Sequence, residues 1–446
     1  MNKLFTDFKP ADYETWINQL KKDLKDKPLE ALETNPEKEI SIKAYYHPQK
    51  DQFQQERSTL ANNFAKTSNQ WSVRREYDEG CNQQVLKDLN EGIDAISLVA
   101  KSASQFSTDQ DGILFEHVIS DIRFDELQAT RSIAVPKESY LNFDVIALNA
   151  KAGELKFSLN DFVSFVQKHP TNKSIWVSGF NYGESGASTV QELAFTLAHL
   201  NEYVQVLKDA GVDLKSINEK IILELSVNDN YFVNLAKFRA IRELTALLFS
   251  AYDANHVAQV PLIFAKTSSR FLAENDRNNN LLRQTAQAMA ATLGGCDALT
   301  ITPLRSIDPE EDILVQRMAK NIQLVLREES YFDKVVDPAA GSMFIENLTD
   351  QLIEKAWKLF QEIEQKGGLI SGLQNNTIQN WIEENQTYLI EKLRSGKQSF
   401  LGVNKYPSSL EKWKNIAPSK SSTGKDFKSL TSFSLESFHQ AKTVVS

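Results

Sequence analysis

Short apolar runs that alternate with helical patterns predict an α/β fold, specifically a (β/α)8 TIM barrel. Eight such runs follow one another from Asp94 to Asp337, and helical patterns separate most of them. This span of about 250 residues is the usual size of one barrel. A glycine-rich segment, residues 178–192, lies between a buried apolar run and a helical pattern. Barrels of this type carry their functional residues at such strand ends.

The predicted strands are short and rich in β-branched residues. They are Ala95–Ala100, Ile113–Val118, Val145–Ala150, Ile175–Ser178, Ile221–Val227, Pro261–Ala265, Ala298–Thr302 and Lys334–Asp337. The alternation also fits a doubly wound open sheet. No GxGxxG opens the first helix and no GxxxxGK[ST] follows a strand, so the nucleotide-binding forms of that sheet lack their signature. The barrel is therefore favoured.

Helical periodicity fills most of the intervals between strands and continues beyond the last one. In these stretches apolar residues recur at i, i+3, i+4 and i+7, the pattern of a helix with one buried face. The predicted helices are Leu159–Lys168, Ser188–Ala210, Tyr231–Ala251, Asn279–Leu293, Glu310–Glu328, Ser342–Gly368 and Ile378–Gly396.

The chain divides into four predicted parts. Residues 1–70 form an N-terminal arm with one amphipathic helix and isolated aromatics, which packs either on its own barrel or on a neighbouring chain. Residues 71–340 form the barrel, and residues 341–416 form a helical extension. Residues 417–446 are rich in Ser and Lys and are expected to form an extended, flexible tail.

Composition and charge argue against several functional classes. The net charge of −9, without a basic cluster, argues against nucleic-acid binding. No apolar run approaches the roughly 20 residues that span a bilayer, and the first residues lack the apolar core of a secretory signal. The 2 cysteines have no CxxC spacing and the 6 histidines form neither HxH nor HExxH. These features predict a cytoplasmic protein with no metal site.

The glycine-rich segment has the position of an active site but offers no obvious catalyst. Its three central glycines predict a loop that bends sharply and brings backbone close to a ligand. The polar side chain at its centre is Asn181. Amides form hydrogen bonds but do not exchange protons near neutral pH. Glu184 could be catalytic, but a carboxylate in such a loop could equally be a helix cap or a solvated group.

Six collinear blocks resemble the catalytic barrel of the methylmalonyl-CoA mutase family. They are SGFNYGESGASTVQELAFTLAHLNEYV (178–204), LAKFRAIR (235–242), LLRQTAQAMAATLGGCDALT (281–300), KNIQLVLREES (320–330), VVDPAAGSMFIENLT (335–349) and LGVNKYP (401–407). They follow one another in the same order between residues 178 and 407, which makes the resemblance specific.

The resemblance implies chemistry in which adenosylcobalamin supplies the radical that interconverts methylmalonyl-CoA and succinyl-CoA. Catalytic members carry a cobalamin domain with a DxHxxG motif, and this sequence ends about where that domain would begin. The family's Tyr-His pair corresponds to Phe180-Asn181, and its Gln and His near the seventh strand correspond to Asp297 and Thr300. The proline-rich segment that supplies the substrate-carboxylate arginine has no counterpart in 151–158.

These departures resemble the small, inactive subunit of heterodimeric members of the family. The implied partner is a large catalytic subunit that holds adenosylcobalamin. This chain would then bind no cofactor, contain no catalytic residue and meet acyl-CoA only through the complex. The alternative is a stand-alone acyl-CoA mutase or isomerase that uses a cobalamin domain on a separate chain. Such members keep the catalytic His and Arg, so Asn181 favours the first interpretation.

Five residues are candidates for vestigial substrate binding: Asn181, Arg242, Lys266, Thr267 and Ser268. Arg242 could hold a CoA phosphate or pair with a carboxylate on its own helix. The run from Lys266 to Ser268 lies at a strand end, the usual functional position in this fold. The strands are rich in Ile, Leu and Phe, which predicts a filled barrel and not one that threads a pantetheine arm along its axis.

Overall fold

Eight parallel strands form the sheet of the computed structural model, which describes residues 12–25, 27–46, 68–256, 259–304, 308–407 and 424–438. The strands are β1 (Ser72–Glu76), β2 (Ala95–Val99), β3 (Ile119–Arg123), β4 (Tyr140–Asn142), β5 (Ile175–Ser178), β6 (Ile221–Val227), β7 (Leu262–Thr267) and β8 (Ala298–Thr300). Their order is β4-β3-β2-β1-β8-β7-β6-β5. The backbone N–H of Leu141 donates to the carbonyl of Lys173 at 2.8 Å, which links β4 to the start of β5. The predicted (β/α)8 barrel is confirmed.

Helices surround this sheet and extend beyond it. They are α1 (Tyr13–Leu24), α2 (Asn82–Asn90), α3 (Ala103–Asp109), α4 (Leu127–Ser132), α5 (Val145–Ala152), α6 (Leu159–Lys168), α7 (Phe180–Glu184), α8 (Thr189–Asp209), α9 (Leu214–Glu219), α10 (Tyr231–Tyr252), α11 (Asn279–Leu293), α12 (Pro309–Leu324), α13 (Met343–Gln365), α14 (Gly368–Gln374) and α15 (Thr377–Arg394). Helix α13 packs against α8 and α10. Within the described residues no helix is both long and apolar enough to cross a membrane.

Three of the eight predicted strands are wrong. The run Ile113–Val118 contains a 3₁₀ turn, and β3 begins only at Ile119. The run Val145–Ala150 lies in helix α5, and Lys334–Asp337 forms turns and bends. The strands missed from the sequence are β1, β3 and β4, so the strand that precedes the glycine-rich segment is the fifth and not the fourth.

The errors have physical causes. Strand β1 has the sequence SVRRE, which contains too many charged residues to be recognised as a barrel strand from the sequence. In the structure it is a barrel strand, and the side chain of Arg74 is buried inside the barrel. A short buried apolar run fits a strand or a helix equally well. For residues 145–150 the flanking residues favour the helix over the strand. Asp144 caps this helix, because its side chain accepts a hydrogen bond from the backbone N–H of Ala147 at 3.0 Å. Gly153 then ends the helix with a φ of 67°.

Part of the N-terminal arm packs on this chain itself. Glu37 accepts hydrogen bonds from the N–H and Oγ1 of Thr189, at 2.8 and 2.6 Å, at the start of α8. The backbone of Ser41 exchanges two hydrogen bonds with the amide of Gln351 on α13. Of the two alternatives for the arm, own-chain packing therefore holds for these residues. Residues 1–11 and 47–67 of the arm lie outside the described residues.

The C-terminal segment, residues 424–438, is packed and not a free tail. The side chains of Phe427, Leu430, Phe433 and Leu435 are buried. The backbone N–H of Leu430 donates to the carbonyl of Ala150 at 2.8 Å, which ties the segment to α5. The prediction of a flexible tail is therefore wrong for these residues, while 417–423 and 439–446 lie outside the described part of the chain. Ser and Lys dominate the composition, but the spaced aromatics supply the apolar contacts.

Candidate functional site

The glycine-rich segment continues from β5 directly into the short helix α7. Its glycines allow close packing: a Cβ on Gly179 would lie 2.2 Å from Oγ1 of Thr196. A Cβ on Gly183 would lie 2.2 Å from Oγ of Ser226 on β6. The predicted bending loop is thus largely a helix, pressed against its neighbours because it lacks side chains at these two positions.

Asn181 lies half-buried in α7 at the carboxyl end of the barrel. Its backbone carbonyl accepts a hydrogen bond from Oγ of Ser185 at 2.8 Å. Its side-chain amide makes no hydrogen bond with any residue that the structure describes. An amide at this position can orient a bound group but cannot act as a general acid or base.

Lys266, near the end of β7, contacts Phe180, the residue before Asn181 in the chain. Its Nζ lies 4.7 Å from the centre of the Phe180 ring and donates to Oε2 of Glu76 at 2.7 Å. Burial alone would raise the pKa of Glu76, but Lys266, Arg123 and Arg74 outweigh it and hold that pKa well below its usual range. The ammonium group is therefore neutralised by a carboxylate of this chain.

Arg74 occupies the barrel interior and touches side chains from several strands. Its guanidinium forms a two-pronged ion pair with Asp121 on β3, at 2.6 and 2.9 Å, and donates to Oγ1 of Thr300 at 2.7 Å. Glu224 on β6 lies 3.7 Å away. Burial disfavours the charged guanidinium, but the carboxylates, Asp121 above all, raise the pKa of Arg74 overall. Its charge is thus held permanently inside the barrel.

Aromatic and aliphatic side chains fill the space beneath these ion pairs. Trp176 on β5 and Phe264 on β7 lie edge to face with ring centres 5.2 Å apart. Ile222 and Ala298 complete this buried cluster. The Arg74 guanidinium lies 5.7 Å from the Trp176 ring and 5.5 Å from the Phe264 ring, which joins the two layers. The barrel is filled along its axis, in agreement with the prediction from its strands.

Thr267 and Ser268 bind other parts of the chain. Oγ1 of Thr267 accepts from the N–H of Thr302 at 2.9 Å. Oγ of Ser268 donates to Glu184 at 2.7 Å, and the N–H of Ser269 donates to the same carboxylate at 3.1 Å. Burial raises the pKa of Glu184. The Glu184 side chain therefore clamps the α7 segment to the end of β7, and it is neither the helix cap nor the solvated group that were the alternatives for this residue.

Arg242 lies away from the other four candidates. It projects from α10 and donates to the carbonyls of Phe238, Gly294 and Gly295; the contact with Gly294 is 3.2 Å long. Gly294 and Gly295 precede β8, so this contact lies at the amino end of the barrel, opposite Lys266. All three acceptors are backbone carbonyls, and none is the carboxylate of its own helix that was the structural alternative. Arg242 instead binds the carbonyls at the end of α11.

Helix α15 and the C-terminal segment cover the carboxyl ends of β5 and β7. The amides of Asn385 and Gln386 donate to the carbonyls of Gly186 and Ser185 at 2.8 and 2.7 Å. The N–H of Phe433 donates to the carbonyl of Glu184 at 2.9 Å. Phe433 and Leu435 form a second apolar cluster with residues of α15 and of the segment after β7. This side of the barrel is closed by the chain itself.

The structure thus brings four predicted site residues to one end of the barrel and leaves Arg242 at the other. Four charged residues that dominate the interior were not predicted from the sequence: Arg74, Glu76, Asp121 and Glu224. A signal was present, because charged residues two apart in the runs 72–76 and 119–123 are the pattern of one strand face. That signal was overlooked because both runs contain enough polar residues to resemble loops.

Comparison with known proteins identifies the family. The sequence model for methylmalonyl-CoA mutase matches residues 150–436. The chain belongs to the methylmalonyl-CoA mutase family. The match begins after β4 and includes the glycine-rich segment, β5 to β8, the helical extension and most of the C-terminal segment.

Three relatives from this family align over half or more of the chain. The methylmalonyl-CoA mutase small subunit of Porphyromonas gingivalis is 27% identical over 92% of this chain and 72% of its own length. The small subunit from Streptomyces virginiae is 28% identical over 76% of this chain and 58% of that protein. The large subunit of P. gingivalis is 32% identical over 54% of this chain and 34% of its own length.

Proposed function

We propose that this chain is the small, catalytically silent subunit of a methylmalonyl-CoA mutase complex. The observation that carries the proposal is the filled interior, in which Arg74 and Lys266 are neutralised by carboxylates of the same chain. A pantetheine arm would have to displace Trp176 and Phe264, which are buried together on the axis. Asn181, in place of an acid or base, supports the same conclusion.

The relatives support a two-chain arrangement. Small-subunit proteins align with most of this chain, and P. gingivalis has both a small and a large subunit. In the proposed complex the large subunit carries out the interconversion of methylmalonyl-CoA and succinyl-CoA. The small subunit contributes a folded barrel whose surface binds the large one.

Adenosylcobalamin, which supplies a radical when bound, is assigned by this proposal to the large subunit. The described residues of this chain do not fit the group over the ends of β5 and β7. Those strand ends are covered by Gln386 of α15 and by Phe433 and Leu435 of the C-terminal segment. We expect the purified chain to take up no adenosylcobalamin, as followed by its visible spectrum. Stoichiometric uptake would contradict the assignment.

Association with the large subunit is the first test. The two chains, co-expressed and purified, should sediment as one species at micromolar concentration. Permanent interfaces commonly bury more than about 2,000 Å² and survive such dilution. Two independently sedimenting chains would refute the two-chain proposal.

Turnover of methylmalonyl-CoA by the complex is the second test. Asn181→Ala should leave kcat within about twofold of the original complex, whereas a true acid or base contributes about 10²- to 10⁴-fold. Asn160→Ala, an exposed asparagine on α6, is the matched control. A loss of tenfold or more for Asn181→Ala alone, with the complex intact, would mean that this barrel turns over substrate.

A further inference from the structure

Helix α12 exposes large apolar side chains and buries polar ones. Three of its four buried residues are polar, namely Asp312, Lys320 and Gln323. Ile313 and Leu314, by contrast, are 67% and 53% exposed. A helix on the surface of a globular domain normally buries its apolar face and exposes its polar one. The outward position of these two side chains is therefore not explained by packing on this barrel.

The outward apolar residues continue as a stripe along α12. Met318 follows Leu314 by four residues, and Val325 follows seven residues later, at the start of the turn that continues the helix. These intervals place the three side chains on one face over about 16 Å, at a rise of about 1.5 Å per residue. Val325 is 43% exposed. Ile322 and Leu324 pack on the apolar core instead, so the helix has one apolar face toward the barrel and a second one outside.

A groove of about 700 Å³ separates α12 from α2, and Ile313 lies in its lining. The charged residues that line it are Arg75, Lys87, Asp88, Glu91, Arg317 and Lys320. In two places a cation and a carboxylate of this set are paired at 2.6 Å, which leaves Lys87 and Arg317 without an ion pair among the described residues. With four cations and two carboxylates, the groove is positive in a chain whose net charge is −9.

The stripe and the groove together favour a protein partner of opposite charge. Contiguous exposed apolar side chains mark protein interfaces, and a face of this length suits a polypeptide segment. The unpaired cations beside it favour carboxylates on the partner, because interfaces bring opposite potentials together. A second copy of this chain related by a two-fold axis would bring Lys87 and Arg317 toward their own counterparts, which like-charge repulsion disfavours.

We propose that α12 and the groove beside it form the surface on which the large subunit docks. The docked segment places apolar side chains on Leu314 and Met318 and directs carboxylates toward Lys87 and Arg317. This inference rests on the proposed two-chain complex and adds the place where the two chains meet.

The apolar stripe is tested with Leu314→Glu. The dissociation constant of this variant for the full-length large subunit, measured by biolayer interferometry, should rise at least about tenfold, because a few central residues carry most of the binding energy of an interface. Leu155→Glu is the matched control, since Leu155 is 48% exposed and lies between β4 and β5, across the barrel from β1 and β8. The control should bind like the original chain, and both variants should keep its thermal stability.

The groove cations are tested with the double variant Lys87→Glu, Arg317→Glu. Its association rate with the large subunit should fall at least about tenfold at low salt, and the rate should depend less on ionic strength, because charges at the edge of an interface act mainly on association. The control is Lys137→Glu, Lys215→Glu, which changes the net charge equally at two exposed lysines outside α2 and α12. A difference between the two double variants reports the position of the charges and not their sum.

Three results would each overturn the proposal. If both test variants bind the large subunit like their controls, the docking surface is wrong while the two-chain complex stands. If the original chain does not bind the large subunit at all, the docking surface and the two-chain complex fail together. Sedimentation of this chain alone tests the other occupant: a homodimer that Leu314→Glu dissociates would assign the stripe to a second copy.

Discussion

At the scale of single residues, the barrel interior is stabilised by side chains of opposite charge that form ion pairs with one another. Arg74 is buried with Asp121 and Glu224, and Lys266 is paired with Glu76. Buried ions are costly unless every one of them is paired. The interior can therefore remain charged without solvent only while the whole set is present.

Removal of Arg74 should be strongly destabilising. Arg74→Met keeps a long side chain but leaves Asp121 and Glu224 buried without their cation, which costs about 3–5 kcal/mol. The double variant Arg74→Met, Asp121→Asn should recover part of this loss, because one of the orphaned charges is then removed. Urea unfolding followed by circular dichroism measures both. A loss below about 1 kcal/mol for the single variant would mean that the interior is hydrated.

Glu364 on α13 should make stability depend on pH near neutrality. Burial, together with the charge of Glu202, raises its pKa from 4.5 to about 7. The folded state therefore binds this proton more tightly than the unfolded state. The resulting stability is fully present below about pH 4.5 and is lost as pH rises to about 7.

Glu364→Gln removes this titration and keeps an acceptor for the Asn201 amide, which donates to Glu364 at 2.9 Å. The variant should be more stable than the original chain at pH 8 by about 1–2 kcal/mol, a value reduced because the group is only half-buried. Its advantage should vanish near pH 4.5. Thermal unfolding across this range measures it, and exposed Glu354→Gln on the same helix is the control. An advantage independent of pH would contradict the raised pKa.

At the scale of elements, helix starts and the segments that cap them connect distant parts of the chain. The start of α8 carries its own capping box of Ser188 and Gln191 and also receives the carboxylate of Glu37 from the arm. A carboxylate at a helix start pairs with N–H groups that have no partner within the helix and interacts favourably with the helix dipole. The arm therefore stabilises the helix that follows the glycine-rich segment.

Glu37→Ala should destabilise the chain by about 1–2 kcal/mol, the usual cost of a lost helix cap. Hydrogen exchange should increase at the first turn of α8 and in residues 34–46 together, because the same contact holds both. Lys38→Ala, at the exposed neighbouring position, should change neither. Faster exchange in the arm with an unchanged α8 would show that the capping contact contributes nothing to the helix.

At the scale of the whole molecule, barrel, helical extension and C-terminal segment form one packed unit. The largest apolar cluster includes residues of the strands and of α13, and also Leu430 of the C-terminal segment. A second cluster joins Phe271, after β7, to α15 and to Phe433 and Leu435. The chain is thus covered by its own C-terminal residues at the end where members of this fold class carry functional groups.

Phe433→Ala should destabilise the whole barrel and not only the C-terminal segment. Phe433 is 2% exposed, and replacing a buried Phe by Ala costs about 3–5 kcal/mol. Unfolding should remain a single transition by far-UV and near-UV circular dichroism. Tyr406→Ala, a site that is 79% exposed, is the matched aromatic control and should change stability little. A separate early transition in Phe433→Ala would show that the segment folds independently of the barrel.

The sequence by itself determined the fold class, the long helices and the lack of an acid or base at Asn181. Periodicity of apolar residues carries that information locally, so α6 and α11 were predicted at their observed bounds. The blocks that resemble the mutase family were sufficient to identify it, which the match over 150–436 confirms.

Only the tertiary structure decided the roles of the charged residues in short strands and helices. Strand β1 is polar, and only the ring of strands places Arg74 among Asp121, Glu224 and Thr300, residues far apart in the chain. Arg242 does not belong to the candidate site. Its guanidinium instead binds the carbonyls of Gly294 and Gly295, which the turn before β8 brings to it. Each outcome depends on contacts between distant residues, which local patterns do not contain.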